Sequence, residues 1–181
     1  TNFKEENIIE LEMLLYKDPD TLNELNTHSI KFFHFKNEED TIHIILSNGK
    51  YIVVNTNEKY ETMQMFNNEV LAAEISPSLD RIAVALGNFK LMLLNYDFEL
   101  VNSCNLDDGD LSDANADNNI CQEASISWRG DSQFFACLYS INGGRKCLVR
   151  DTSLNIFKGP ARADNKVVFS VGEQPVMSKL Y

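Results

Sequence analysis

The stretch "DDGDLSDANADNN" at 107–119 has the residue types of a cation-binding loop: five aspartates, four amide or hydroxyl side chains and no basic residue. Calcium prefers such oxygen ligands. Written as an EF-hand loop, its first, third and fifth ligands would be Asp113, Asn115 and Asp117. The pattern then fails, because Asn118 replaces the turn glycine and Ala124 replaces the bidentate glutamate. We therefore interpret 107–119 as a solvated acidic loop between structural units, with a metal-binding protein as the alternative.

Cysteine and histidine are the other candidate ligands. No C-x-x-C spacing occurs, and three of the four cysteines stand beside apolar or strand-like residues, where a reduced thiol packs as a small hydrophobe. The three histidines form no ligand motif with them. We expect structural roles rather than a zinc site, and reduced thiols fit the cytoplasm. The residues concerned are Cys104, Cys121, Cys137, Cys147, His28, His34 and His43.

Catalytic signatures are missing from the chain. It contains no G-x-S-x-G, no G-x-x-x-x-G-K-[ST] and no G-x-G-x-x-G run, and no carboxylate pair stands out for acid–base work. We therefore expect a protein that is not an enzyme, with no catalytic, cofactor-binding or metal-binding residue. The tripeptide "RGD" at 129–131 is interpreted as a polar turn between two strands rather than an adhesion site.

Composition narrows the class of partner. The 181 residues include 16 Lys and Arg against 27 Asp and Glu, a net charge of −11. Phosphate backbones require a basic surface, so direct contact with DNA or RNA is not expected. The longest aliphatic run, "IAVAL" at 82–86, is too short for a membrane span, and charged residues interrupt the first twenty positions. We expect no membrane contact and no secretion, and a cytoplasmic location with the nucleus as the alternative.

Three segments, at 30–55, 70–95 and 123–151, share one layout. Each has an alternating strand, a polar turn, a second apolar strand, a Gly/Asn turn and a third strand. The first strands end at Phe35, Ile75 and Trp128, the second strands open at Ile42, Ile82 and Phe135, and the third strands end at Asn55, Asn95 and Asp151. The Gly/Asn turns, "NG" at 48–49, "GN" at 87–88 and "NGG" at 142–144, indicate antiparallel hairpins in which both central residues take positive φ.

The spacing of these segments indicates propeller blades. Phe35 to Ile75 is 40 residues, and Ile75 to Trp128 is 53, longer by the 13 residues of the acidic loop. We predict an all-β fold, a WD40-like β-propeller that is incomplete, with the whole chain 1–181 as one partial domain. Its four-stranded blades would cover 30–62, 70–101 and 123–157. Partial blades are expected at 7–16, where a helix over 5–16 is the alternative, and at 165–176. The aromatic residues Phe32, Phe33, Phe35, Phe134 and Phe135 are predicted to be blade core.

The third segment also resembles a known family. "SISWRGDSQFFACLYSINGGRKCLVRD" is similar to the propeller of the largest subunit of the Elongator complex, the IKAP family, which has a "WRGD-x-x-[FY]FA" run and an "R-K-x-x-V" strand. The second segment, "SPSLDRIAVALGNFKLMLLNYDFELV", resembles the same family. The resemblance covers about 30–157. Its signature residues here are Trp128, Arg129, Gly130, Asp131, Phe134, Phe135 and Ala136.

The resemblance implies a non-catalytic scaffold that supports modification of wobble uridines in tRNA through protein–protein contacts. The implied partners are the other Elongator subunits, a second WD40 propeller and a radical-SAM acetyltransferase, with tRNA reached only through the complex. The chain departs from the family pattern at the acidic loop, in lacking a Trp near Arg150, and after Pro160. A WD40-type adaptor unrelated to Elongator is the alternative.

Overall fold

The computed structural model describes residues 19–55, 59–106, 121–141 and 144–157. The acidic loop at 107–119 and the predicted partial blades at 7–16 and 165–176 lie outside these residues. The chain divides into two compact units, Thr1–Val70 and Leu71–Tyr181. No helix among the described residues is long and apolar enough to cross a membrane.

The described residues form one helix and eleven strands. The helix is α1 (Pro19–Thr27), and the strands are β1 (Ile30–Lys36), β2 (Thr41–Leu46), β3 (Lys50–Asn55), β4 (Lys59–Gln64), β5 (Val70–Ile75), β6 (Arg81–Leu86), β7 (Lys90–Asn95), β8 (Leu100–Asn105), β9 (Ala124–Trp128), β10 (Phe134–Ile141) and β11 (Gly144–Asp151). Three sheets form in sequence order: sheet A (β1–β4), sheet B (β5–β8) and sheet C (β9–β11). The predicted all-β class is confirmed, and the third strands end at the predicted residues.

In the first unit, α1 packs on one face of sheet A. Its Leu25 contacts an apolar cluster on β2 and β3, and its Glu24 accepts hydrogen bonds from Lys50 Nζ (2.5 Å) and Asn48 Nδ2 (2.9 Å). The cluster comprises Ile44, Leu46, Ile52 and Val54. The residues "KDPD" at 17–20 have the composition of a turn, but Pro19 and Asp20 begin the helix. Proline suits the first helical position, and a carboxylate in the first turn suits the helix dipole.

The hairpin between β2 and β3 forms where "NG" predicts it, but its turn differs from the predicted type. Gly49 has φ +85°, whereas Asn48 does not take positive φ. The connection is therefore a three-residue loop with glycine in the left-handed position. In the β6–β7 hairpin this position belongs to Phe89 (φ 61°), 40 residues after Gly49, and not to the predicted "GN" pair at 87–88.

Replacement of Gly49 by alanine is expected to destabilise the first unit by about 2 kcal/mol or more. A Cβ atom there would lie 2.2 Å from the backbone oxygen of Phe66, at a φ that disfavours side chains. Gly130→Ala is the matched control, because a Cβ there meets no atom within 4 Å. Hydrogen exchange of amides in β2 and β3 measures the effect. Equal protection in the two variants would contradict the prediction.

In the second unit, sheets B and C share one hydrophobic core. Ala83, Ala85, Leu91 and Leu93 of sheet B are fully buried in one cluster with side chains of sheet C. The contributors from sheet C are Ile126, Trp128, Phe135, Cys137 and Tyr139. Sheets whose small residues meet large ones can approach closely and fill the space between them. The two sheets therefore pack face to face.

The turn that follows the third strand is the same in sheets B and C. The Asn95 side-chain oxygen accepts from the amides of Asp97 (3.0 Å) and Glu99 (2.9 Å). The Asp151 oxygen accepts in the same way from Ser153 (2.8 Å) and Asn155 (2.9 Å). After this turn, Ile156 forms a bridge with Arg150. Sheet C thus has three strands among the described residues, instead of the predicted four, and begins a fourth pairing where the described segment ends.

The predicted aromatic core is only partly correct. Phe32 and Phe135 are buried, at 5% and 1% exposure. Phe33 and Phe35, in contrast, are 55% and 40% exposed, and Phe134 is partly exposed. Alternation along β1 sends Phe32 and Phe33 to opposite faces of sheet A. The face that carries Phe33 is incompletely covered at this edge of the sheet.

Candidate functional site

Trp128, the first residue of the signature, connects the two sheets of the second unit. It ends β9, is 6% exposed, and packs on Phe135 with ring centroids 4.7 Å apart. Its indole N–H donates to the backbone oxygen of Glu74 in β5 at 3.0 Å. A buried indole requires such a partner. Trp128 therefore fixes the first strand of sheet C against the first strand of sheet B.

The next signature residues form the predicted polar turn between β9 and β10. Arg129 Nε donates to Asp131 at 2.8 Å and its Nη2 donates at 2.5 Å, a bidentate ion pair. Asp131 also accepts from the Gln133 amide. The hydrogen bonds from Arg129 are the main reason why the pKa of Asp131 is lowered. Gly130 occupies open space. The turn is therefore closed by hydrogen bonds of its own side chains.

Behind this turn lies an aromatic cluster at the surface. The Arg129 guanidinium sits 4.4 Å from the centroid of the Phe134 ring, a cation–π contact. Phe157 meets the same ring edge-on at 5.2 Å and is 52% exposed. Ala136 lies two residues after Phe134 and is partly exposed on the same face of sheet C. Arginine and aromatic residues are enriched at protein–protein interfaces.

A second turn joins this end of the unit. The Ser78 amide donates to Ser132 Oγ at 2.9 Å, so the β5–β6 turn lies against the β9–β10 turn. Asp80 accepts hydrogen bonds from the hydroxyls of Ser78 and Ser76. These bonds lower the pKa of Asp80, and the bond from Ser78 has the larger effect. Both turns are thus held by their own side chains, which makes this end of the unit a preorganised surface.

Arg150 is a structural residue that sequence analysis did not identify. Its side chain is 1% exposed. Its guanidinium donates to three backbone oxygens, those of Leu154 (2.5 Å), Asn105 (2.9 Å) and Leu106 (3.1 Å). One residue therefore joins the end of β8 in sheet B to β11 and its exit turn in sheet C. Arg145 and Lys146, which lie on the same strand and match the "R-K" of the family pattern, are exposed.

The first unit contains a buried polar chain on sheet A. His43 lies between Thr41 Oγ1, 2.8 Å from Nε2, and the Tyr51 hydroxyl, 2.5 Å from Nδ1. Burial lowers the pKa of His43 to about 4 and raises the pKa of Tyr51. His43 is therefore neutral near pH 7, donating through one ring nitrogen and accepting through the other. This arrangement satisfies buried groups.

The lowered pKa predicts acid sensitivity of the first unit. Because the unfolded chain binds a proton at His43 near pH 6.5 and the folded chain only near pH 4, stability is unaffected above pH 6.5. It falls as pH drops from 6.5 to 4, by about 3 kcal/mol. Urea unfolding at stepped pH measures this loss. His43→Gln removes the titration while retaining donor and acceptor, so the difference between the two proteins should shrink as pH falls. A constant difference would contradict the prediction.

The candidate ligands have different surroundings, since Cys121, Cys137 and His43 are buried whereas Cys147 is exposed. Cys121 and Cys137 are buried among apolar residues, as predicted, and burial raises the pKa of Cys137 to about 12. His34 and His43 are paired across β1 and β2. Among residues 19–55, 59–106, 121–141 and 144–157, no group of three or more His, Cys, Asp or Glu is placed to hold a metal.

Comparison of the chain with protein-family models found no match, and comparison with curated proteins found none either.

Proposed function

We propose that this chain is a scaffold whose sheets are successive blades of a β-propeller. Two adjacent sheets packed through one core, each leaving its third strand by the same turn, support this proposal. In a propeller, consecutive blades stack face to face in the same way around an axis. The observation that carries the proposal is the bond from Trp128 to Glu74, which joins equivalent strands of neighbouring sheets.

We further propose that the scaffold belongs to the largest subunit of the Elongator complex and organises that complex in the cytoplasm. The resemblance from Trp128 to Ala136 supports it, and so does the hydrogen-bonded turn at Arg129 beside the surface ring of Phe157. The partners would be the second WD40 propeller subunit and the radical-SAM acetyltransferase subunit. The chain itself would not be an enzyme, and tRNA would meet it only through the complex.

Mass spectrometry of tRNA nucleosides from cells depleted of this protein tests the assignment. We expect loss of the carboxymethyl-type wobble uridines. Unchanged uridines, with depletion verified, would leave a propeller adaptor unrelated to Elongator as the function.

Copurification tests whether the chain binds the two proposed partner subunits. A tagged chain should capture the two named subunits, and a chain with Arg129→Ser and Phe157→Ser should capture less while remaining folded, because both residues are exposed. Equal capture by both chains would move the contact to another surface.

Saturation of the chain by calcium in titration calorimetry would instead favour the metal-binding alternative at the acidic loop.

A further inference from the structure

Sheet C exposes a face that is covered in sheet B. Side chains that alternate on β10, β11 and the residues that follow point away from the shared core. We name this surface the C face: Phe134, Ala136, Leu138, Cys147, Val149 and Phe157. All six are apolar or small, Cys147 and Phe157 are exposed, and the other four are partly exposed.

The equivalent positions of sheet B show what such a face binds. The strands of sheets B and C can be aligned by placing Ile82 on Phe135 and Asn95 on Asp151. In this alignment, four residues of the C face, Ala136, Leu138, Cys147 and Val149, correspond in that order to Ala83, Ala85, Leu91 and Leu93 of sheet B. These four sheet B residues have 0% exposure, because they pack on the opposite face of sheet C. The C face therefore has the pattern of a surface that receives another sheet.

Sheet A has the complementary surface. Phe33, Phe35, Ile42 and Ile44 share one face, as their cross-strand pairing requires. We name this surface the A face. Each residue stands 93 positions before its equivalent in sheet C, namely Ile126, Trp128, Phe135 and Cys137. Those equivalents form the face on which sheet B packs. Trp128 on that face is 6% exposed, whereas its equivalent on the A face, Phe35, is 40% exposed.

We propose that the C face of one copy of this chain packs on the A face of a second copy, head to tail. The contact would reproduce the packing of sheet B on sheet C. A second copy is the occupant because the chain carries both halves of the packing that the second unit already uses. Such a heterologous contact leaves one face free at each end, so association continues into rings or open chains.

Helix α1 competes for the A face. Leu25 covers the part of this face on β2 and β3, while Phe33 and Phe35 on β1 stay exposed beside it. Glu24 fastens the helix to Lys50 and Asn48. Release of this contact should open the whole face. Glu24→Gln is therefore expected to strengthen self-association by severalfold.

The net charge of the chain predicts that salt strengthens self-association. The net charge of −11 makes two copies repel at low ionic strength, and salt screens that repulsion. An apolar contact between like-charged copies should strengthen with added sodium chloride, whereas one made of ion pairs would weaken.

Sedimentation velocity on the full chain tests the proposal with two variants that each inactivate one face. Phe33→Asp places a charge on the A face, and Cys147→Asp places one on the C face; both positions are exposed, so the fold should survive. Each variant alone should associate at least tenfold more weakly than the unmodified chain. Mixed in equal amounts, they should form a dimer and nothing larger, because one active face of each kind remains. Leu79→Asp, at an exposed leucine outside both faces, should associate as the unmodified chain does.

Two results would overturn the proposal. One is a monomer for both the unmodified chain and Glu24→Gln up to about 100 μM, where a micromolar Kd would be seen. The other is self-association that the two variants do not restore on mixing, which would place the contact elsewhere. Neither result decides the Elongator assignment, which the measurement of tRNA nucleosides tests separately.

Discussion

Replacement of Arg150 by methionine should lower the free energy of unfolding of the second unit by about 3 kcal/mol. The unbranched methionine side chain fills much of the same space, so the loss reports the guanidinium rather than a cavity. Three backbone oxygens, of Leu154, Asn105 and Leu106, would lose a donor, and the bonds to Leu154 and Leu106 are buried. A buried acceptor without a partner costs more than an exposed one, because water cannot replace the bond. Urea unfolding followed by the fluorescence of Trp128, the single tryptophan, measures this unit.

Arg145→Met is the control for this experiment. Arg145 lies on the same strand, but its side chain is 50% exposed and its nitrogen is 3.9 Å from Glu123. Exposed pairs of this kind contribute little, so its unfolding should change by no more than about 0.5 kcal/mol. Similar midpoints for Arg150→Met and Arg145→Met would show that the three carbonyl contacts do not stabilise the unit.

Strand positions were largely predictable, because alternation and turn residues are local signals. The third strands end at Asn55, Asn95 and Asp151, as the repeat indicated. Asn95 and Asp151 end their strands through their own side chains, which accept from amides two and four residues on. A strand end that depends on one side chain and the next few residues can be predicted from the sequence. The same holds for the "RGD" turn, which Arg129 and Asp131 close.

Burial was less predictable than pairing. Alternation separates Phe32 from Phe33 but does not show which face of sheet A is covered, and both were expected in the core. Helix α1 was missed for a related reason. Its nine residues have weak helix propensity, and its place depends on Leu25 and Glu24 meeting residues of β2 and β3 at least 19 positions away. Tertiary contacts of that kind leave no local pattern.

Arg150 shows the same limit at the candidate site. A charged residue in an alternating strand usually faces solvent, so the alternation along β11 predicts an exposed side chain for Arg150. The pairing of Arg150 with Phe135 places its side chain on the core face instead. One indication was available in the sequence, because residues two apart on a strand share a face. Arg150 therefore lies on the same face as Leu148, which packs against the core. Its carbonyl partners, 44 and 45 residues earlier, could not be inferred.

Replacement of Trp128 by alanine is expected to cost about 3–5 kcal/mol, the range for a large aromatic removed from a core. The change deletes the ring packed on Phe135 and leaves the Glu74 oxygen without its indole donor. The lost hydrogen bond joins β5 to β9, and the lost ring belongs to the core that the two sheets share, so sheets B and C should separate before either sheet unfolds. Hydrogen exchange should then show amides of β5 and β9 losing protection together. Circular dichroism follows the global transition, since this variant has no tryptophan.

Trp128→Phe divides this effect into its two physical parts. Phenylalanine keeps most of the apolar contact with Phe135 but cannot donate to Glu74, so a loss of about 1–2 kcal/mol is expected. The remainder of the alanine effect would then come from packing. If phenylalanine and alanine are equally destabilising, the hydrogen bond between the sheets outweighs the packing. If neither changes the unfolding midpoint, Trp128 does not join the two sheets, and the packing that supports the propeller proposal loses its main contact.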